Sequence, residues 1–199
     1  MAQLFQEEIR LNLPDSEIVY HPHFLEKNEA DTCFGLLRRT VPWQQDVIKV
    51  FGKEYPQPRL TALYGTNDRT YSYSNITMKP LPFTEELLEI KQKIEVLTDV
   101  IFTTCLLNLY RDGRDSNGWH ADDEKELGTN PVIASLTLGQ ERFFHLKHKK
   151  DKTLKQKILL EHGSLLIMGG GTQSHWLHQI PKTTRPIRER INLTFRIIK

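Results

Sequence analysis

Two stretches of the chain hold residues whose types and spacing could bind a metal ion. The first is WHADDE, where His120 and Asp122 stand two apart. On an extended backbone both side chains leave the same face and can converge on one ion. The second is SHWLHQIP, which offers His175 and His178. Two imidazoles and one carboxylate from distant segments make the facial set that holds Fe(II) and leaves positions open for a co-substrate and dioxygen. Taken alone, His-x-Asp is a weak signal in a chain with eight histidines, because an exposed loop histidine writes the same string.

A third stretch bears on the same chemistry. In RINLTFR the residues Arg190, Asn192, Thr194 and Arg196 alternate with Ile191, Leu193 and Phe195, so a strand there presents four polar side chains on one face and an apolar row on the other. A guanidinium that is buried needs an anion, and its planar fork suits a carboxylate; a dicarboxylic co-substrate beside Fe(II) would supply one. Without the histidines and the aspartate, two arginines on a solvated strand face would explain the pattern as well.

The elements that must position these residues follow from the rest of the chain. Its 199 residues, 38% hydrophobic and 26% charged, predict a single domain with one core, large enough to fold without disulfides or a structural metal. Any metal is then there for chemistry. The two cysteines, Cys33 and Cys105, rule out a disulfide scaffold. No apolar run reaches the ~18 residues of a membrane helix, and the acidic start MAQLFQEEIRLNLPDSE does not resemble a signal peptide, so a soluble intracellular monomer is expected, in the cytoplasm of a prokaryote or the nucleus of a eukaryote.

The first half reads as a short strand over Ile18 to Tyr20 with Phe24, a helix from about Glu26 to Arg39 stopped before Pro42, and a second helix from an N-cap at Thr84 to about Leu97. Beyond residue 100 the period changes. FTTCLLNLY, PVIASLTL, ERFFHLKH, QKILLEHGSLLIM and RINLTFRIIK are short, rich in strand formers and separated by Gly, Asn, Asp or Pro, which predicts an α+β, mainly β fold: a sandwich or jelly roll with helices on one outer face. Gly169 to Gly171 lacks a following Lys-Ser/Thr and reads as a turn. Residues 141–199 carry 13 Lys/Arg against 4 Asp/Glu, the balance of a phosphate-backbone binder, although part of it, KHKKDKTLKQK, reads equally as a solvated hairpin.

Taken together, Asn108-Leu-Tyr110, His120-Ala-Asp122, His178 followed by Pro181, and Arg190-x-Asn192-x-x-x-Arg196 resemble the AlkB family of Fe(II)- and 2-oxoglutarate-dependent dioxygenases. The resemblance covers the last half of the chain and implies a double-stranded β-helix core. It assigns iron to His120, Asp122 and His178. It places the distal carboxylate of 2-oxoglutarate against Arg190, Asn108 and Tyr110, with Asn192 in the same strand motif and Arg196 near the C1 carboxylate. His175 matches no ligand of the family and is read as structural or substrate-facing.

The N-terminal half is similar to the family too. VFGKEYPQPRLTALYG resembles the nucleotide-recognition lid of the double-stranded-DNA branch, with Phe51 as the apolar finger that enters the base stack; an apolar tip on a glycine hinge followed by a cation suits such a wedge. The bland alternative is a hairpin tip tucked onto its own core. Tyr71 and Tyr73 alternate in RTYSYSN and would form a stacking wall, or else a solvated edge strand. Glu124 corresponds to the acid that reads the base, or else caps the turn that follows it. Thr66 stands where the family carries an aspartate. The resemblance thus implies a DNA-repair demethylase acting on N-alkylated bases such as 1-methyladenine and 3-methylcytosine, using Fe(II), 2-oxoglutarate and O2. An RNA-directed demethylase, or a protein or small-molecule hydroxylase, would share the core residues, whereas a non-enzymatic metal-binding sandwich would leave Arg190 and Arg196 unexplained.

Overall fold

Two helices form where the chain supplies start and stop signals. The first, α1 below, ends at Val41, one residue before Pro42, with Arg38 and Arg39 in its last turn where cations complement the helix dipole. The second starts at Thr84, whose hydroxyl accepts from the Leu87 N–H at 3.4 Å, has Glu85 and Glu86 in its first turn, and stops at Asp99 in the left-handed region. Both lie within a residue or two of the positions read from the sequence.

The computed structural model describes residues 8–50, 52–67, 71–73 and 76–198, with the side chains of 49, 50, 71–73, 76 and 77 outside the description. In chain order the elements are β1 (Ile9–Leu11), β2 (Glu17–His21), α1 (Lys27–Thr40), the hairpin β3 (Val47–Val50) and β4 (Lys53–Pro56), β5 (Leu60–Gly65), the pair β6 (Tyr71–Tyr73) and β7 (Ile76–Met78), β8 (Leu81–Pro82) and α2 (Glu85–Thr98). There follow β9 (Thr104–Tyr110), β10 (Asn117–His120), β11 (Ile133–Gly139), β12 (Arg142–His148), β13 (Lys155–Leu160), β14 (Leu165–Gly169), the single turn α3 (Thr172–His175), β15 (Trp176–Ile180) and β16 (Arg190–Arg196). QKILLEHGSLLIM splits into two strands, and Phe24 is a buried core residue in a turn after β2 rather than part of a strand.

Eight strands make one sheet in the order β1-β2-β14-β11-β16-β9-β5-β8, and four make a second, β10-β15-β12-β13. The large sheet is covered on both faces. Against one face pack α1 and α2, through Ala30, Leu37, Leu87, Ile90 and Ile94 onto Leu107, Leu136, Ile191, Leu193 and Phe195. Against the other pack the inward residues of the small sheet, among them Phe144, Leu146, Trp176 and Ile180, onto Leu63, Leu106, Ile133 and Met168. The result is a mixed α+β fold of three layers, and β16 lies at the centre of the middle one. All seven of its residues are buried, so the alternation read in RINLTFR separates a helix-facing apolar row from a polar row facing the space between the sheets.

Candidate active site

His120 ends β10 directly across the ladder from His178 of β15, with ring centroids 4.2 Å apart. Asp122 follows in a bend just beyond the strand. One ligand atom from each of the three lies within 4.8 Å of the others, and His178 Nε2 is 3.9 Å from Asp122 Oδ2. Hydrogen bonds set the ring tautomer at His120. Its Nδ1 lies 2.7 Å from the carbonyl of Gly118, and a carbonyl can only accept, so the proton is on Nδ1 and the lone pair on Nε2. The Asn117 amide donates towards that Nε2 at 3.2 Å. His178 is held by stacking on Phe144, 5.1 Å between centroids.

Asp122 is anchored at both ends. Its N–H donates to Gln173 Oε1 at 2.9 Å, and its Oδ1 accepts from Arg196 Nη2 at 2.6 Å, which turns Oδ2 to the histidines. Burial pushes the carboxyl up, but Arg196 and the two imidazoles outweigh it and hold it below the usual carboxylate range. Burial also lowers His120, and burial with the neighbouring His120 pushes His178 down to about 3. Two neutral imidazoles and one carboxylate in a dry pocket are the protonation states that a divalent ion takes from such a set.

The floor of the pocket comes from β9 and β16, where Asn192 pairs with Asn108 and Arg190 with Tyr110. Arg190 is fully buried; Nη2 donates to Thr137 Oγ1 at 2.8 Å, while Nε and Nη1 have no hydrogen-bond partner. Burial drags it down to about 10, the Tyr110 side chain pulling the other way and Arg142 adding to the fall. A desolvated guanidinium with two unmet donors is a receptor for a carboxylate, so the residues present fit a dicarboxylic co-substrate as well as an iron. Asn192 uses its amide on Ser135 Oγ and the Leu136 carbonyl, at 2.9 and 3.1 Å, and so joins β16 to β11 as well as lining the pocket.

Four residues of this architecture escaped the sequence reading. Arg59, 4% exposed, donates from Nε to Asn108 Oδ1 at 2.7 Å and from Nη1 to the Ser116 carbonyl, tying the base of the β3–β4 hairpin to the pocket floor. Arg142 lies 5.8 Å from the Tyr110 ring centre and holds the Pro181 and Asp115 carbonyls through Nη2. Asp115 closes the RDGRDSNG loop on Arg111, accepting from its guanidinium at 2.8 and 2.9 Å and from its backbone N–H at 2.9 Å. Gln173 fixes the Asp122 backbone as above. The available signal was a cation entering or leaving an apolar run, at PRLTAL and ERFF.

The expected substrate residues divide. The hairpin at VFGKEY is present, with Val50 paired to Lys53 and Gly52 at a φ of +80°, but its tip residue Phe51 lies outside the described residues. Tyr71 and Tyr73 are in β6, paired with Met78 and Ile76, and their side chains lie outside the description. Glu124 occupies the N-cap position of the turn at Lys125–Leu127, where its carbonyl accepts from Leu127 N–H and its side chain makes no capping bond. Thr66 bonds through its N–H and hydroxyl to the Thr103 carbonyl. His175 lies apart from the His120, Asp122 and His178 group; it stacks on His148 beside Asp15.

With this geometry in hand, comparison with known proteins is direct. Residues 17–196 match the 2OG-Fe(II) oxygenase superfamily. Within that superfamily the chain belongs to the AlkB family of Fe(II)- and 2-oxoglutarate-dependent dioxygenases. It is 43% identical to the alpha-ketoglutarate-dependent dioxygenase alkB homolog 3 of Mus musculus, over 92% of this chain and 66% of that protein. It is 36% identical to the DNA oxidative demethylase ALKBH2 of Mus musculus, over 86% of this chain and 76% of that protein. The chain thus spans about two thirds of the length of most of the curated relatives it matches. The solved structure of OsALKBH1 superposes with a TM-score of 0.64 at 18% identity, covering 96% of this chain and all of the other, which establishes likeness of fold.

Proposed function

We propose that this chain, acting as one catalytic unit, is an oxidative demethylase that removes N-alkyl groups from bases such as 1-methyladenine and 3-methylcytosine in DNA. In this reading the two facing sheets are the double-stranded β-helix of the family. The observation that carries the proposal is the His120, Asp122 and His178 set on a pocket also lined by Asn108, Tyr110 and Asn192, with the buried Arg190 guanidinium, its Nε and Nη1 donors unmet, 5.2 Å from the Tyr110 ring centre. His120, Asp122 and His178 would hold Fe(II), and Arg190 with Tyr110 and Asn108 the distal carboxylate of 2-oxoglutarate. When bound, the iron with 2-oxoglutarate and O2 supplies the oxidation that hydroxylates an N-methyl carbon, with succinate and CO2 as co-products; the carbon then leaves as formaldehyde.

The chain's own part is placement. Arg196 keeps Asp122 ionised and directs Oδ2 to the histidines; the Gly118 carbonyl keeps the Nε2 lone pair of His120 available; Phe144, Met168 and Ile180 wall off water. Glu124, two residues beyond Asp122 in the chain, would suit a cationic methylated base, and Phe51, between β3 and β4 in sequence, would suit a wedge that fills the place of a flipped base in duplex DNA.

Mass spectrometry of 1-methyladenine oligonucleotides, single and double stranded, with Fe(II), ascorbate and 2-oxoglutarate tests the reaction, and loss of 14 mass units (about one CH2) is the expected result. Phe51→Ala tests the strand form. Loss of stacking worth about 1–3 kcal/mol per base should slow duplex repair roughly 5- to 150-fold and leave single-strand repair nearly unchanged. Equal losses on both would place Phe51 in the packing of the hairpin and favour a single-stranded DNA or RNA substrate.

A further inference from the structure

The small sheet has an outer face that the site does not use. Inward residues of β12 and β15 are buried, while the outward positions alternate with them and remain open. Two of these are aromatic and exposed, Trp119 on β10 and Phe143 on β12, each 39% accessible. Each ring carries a lysine on its face: Lys147 Nζ is 4.2 Å from the Trp119 centroid and Lys157 Nζ is 3.5 Å from that of Phe143. Lys155 continues the row, opposite Lys147 in the β12–β13 register. The outward positions of these four strands carry no carboxylate. Beside Phe143 a groove of about 350 Å³ runs between β12 and the 181–187 segment, adding Lys182 and Arg185 to its rim, with Glu141 as the one acid.

We infer that this face is a track for single-stranded nucleic acid, taking the nucleotides that flank the base in the pocket; the inference rests on the nucleic-acid reading above. Flat rings suit bases, and mobile ammonium groups suit phosphates. A surface contact between lysine and a ring is weaker than a base stacked on that ring, so the lysines can swing aside to phosphates while bases take their places. Continuity with the site is built in, because Trp119 adjoins His120 on β10 and the strands of this sheet lie about 4.8 Å apart, which puts the two rings within reach of one short run of nucleotides. An acidic protein segment would satisfy the lysines but would leave the exposed rings unused.

The test is binding, read by fluorescence anisotropy, of a 1-methyladenine oligonucleotide of about 4 nucleotides and one of about 12, the range that one surface tracks. Phe143→Ala and Lys157→Glu should each weaken the longer oligonucleotide about 5- to 30-fold and the shorter one hardly at all. Lys157→Glu should also lower the slope of log affinity against log salt by about 1. Phe143→Trp should restore binding, and Lys27→Glu on α1, the same change of charge elsewhere, should have no effect. No loss on the longer oligonucleotide, or equal loss on both lengths, overturns the track. Demethylation of the shorter oligonucleotide by the unaltered protein is read separately. If it proceeds while the length effect is absent, the track fails and the function stands; if it does not proceed, the function fails.

Discussion

Among the described residues two clusters have the same composition, two histidines and an aspartate with donor atoms within 4.8 Å, and their hydrogen bonds prepare them differently for a metal. Around His120, Asp122 and His178 the partners leave lone pairs facing inward. The Gly118 carbonyl accepts from His120 Nδ1–H, and Arg196 donates to the far oxygen of Asp122. In the cluster of Asp15, His148 and His175 the partner of His148 does the reverse. The Asp151 N–H donates to His148 Nδ1 at 2.9 Å, so the proton of the neutral ring sits on Nε2, the atom facing Asp15 at 3.6 Å. A protonated nitrogen has no lone pair to give. Asp15 is also more than half exposed, whereas Asp122 is buried. Residue type and proximity are therefore not enough; the hydrogen bonds made by the rings of His120 and His148 set the two clusters apart.

The sharpest way to break this contrast is to truncate both clusters. Asp122→Ala or His178→Ala should weaken Mn(II) or Co(II) binding by at least about 100-fold, measured by anaerobic calorimetry, while His148→Ala and His175→Ala stay near the parent affinity. Matching losses in the His175 and His178 variants would mean that the contrast is drawn in the wrong place. Next in size is the co-substrate. Arg190→Ala removes the partner of a carboxylate in a dry pocket and should cost about 2–5 kcal/mol, roughly 30- to 4000-fold in 2-oxoglutarate affinity. Metal binding should be retained. Unchanged anaerobic titration of 2-oxoglutarate would remove Arg190 from the site.

A smaller effect is expected with pH. His178 is held at about 3 when folded against about 6.5 unfolded, so below pH 6.5 the unfolded chain gains a proton that the native metal-free protein refuses. Stability is complete above about pH 6.5 and falls as pH drops towards 3, and His178→Asn should flatten that fall in urea midpoints measured across the range. An equal slope in the variant would assign the loss elsewhere. The smallest change belongs to the second cluster: Asp15→Asn keeps a residue that tolerates the φ of 56° there and should alter stability by no more than about 0.5 kcal/mol, less than about 2 °C in melting temperature.

How much of this was legible in the chain depended on the range of the interaction. The helix limits were, because capping at Thr84 and the stop at Pro42 act over a few residues. The faces of β16 were, because strand periodicity is local. The choice of His178 over His175 came from family resemblance; in space His178 groups with His120 and Asp122, and His175 with Asp15 and His148, while the hydrogen bond to His148 Nδ1 arises between residues three apart that no spacing rule specifies. Arg59, Arg142 and Gln173 were missed because their partners lie far away in the chain, Gln173 being 51 residues from Asp122. Likewise the pairing of β14 with β2 joins opposite ends of the chain and leaves no local mark.

The insertion of β16 between β9 and β11 has a kinetic consequence. Both neighbours come earlier in the chain, and β9 is separated from β16 by some 80 residues, Tyr110 pairing with Arg190. Long loop closures of this kind slow folding, and until the strand enters, two unpaired edges face each other across a gap. Arg190, Asn192 and Arg196 arrive only with that step, as one rigid row. If these residues hold 2-oxoglutarate as proposed, a chain with helices packed and β16 still outside would carry His120 and His178 without those partners of the dicarboxylate. On that assignment, the first capture of the dicarboxylate by a refolding chain would mark the closure of the central sheet.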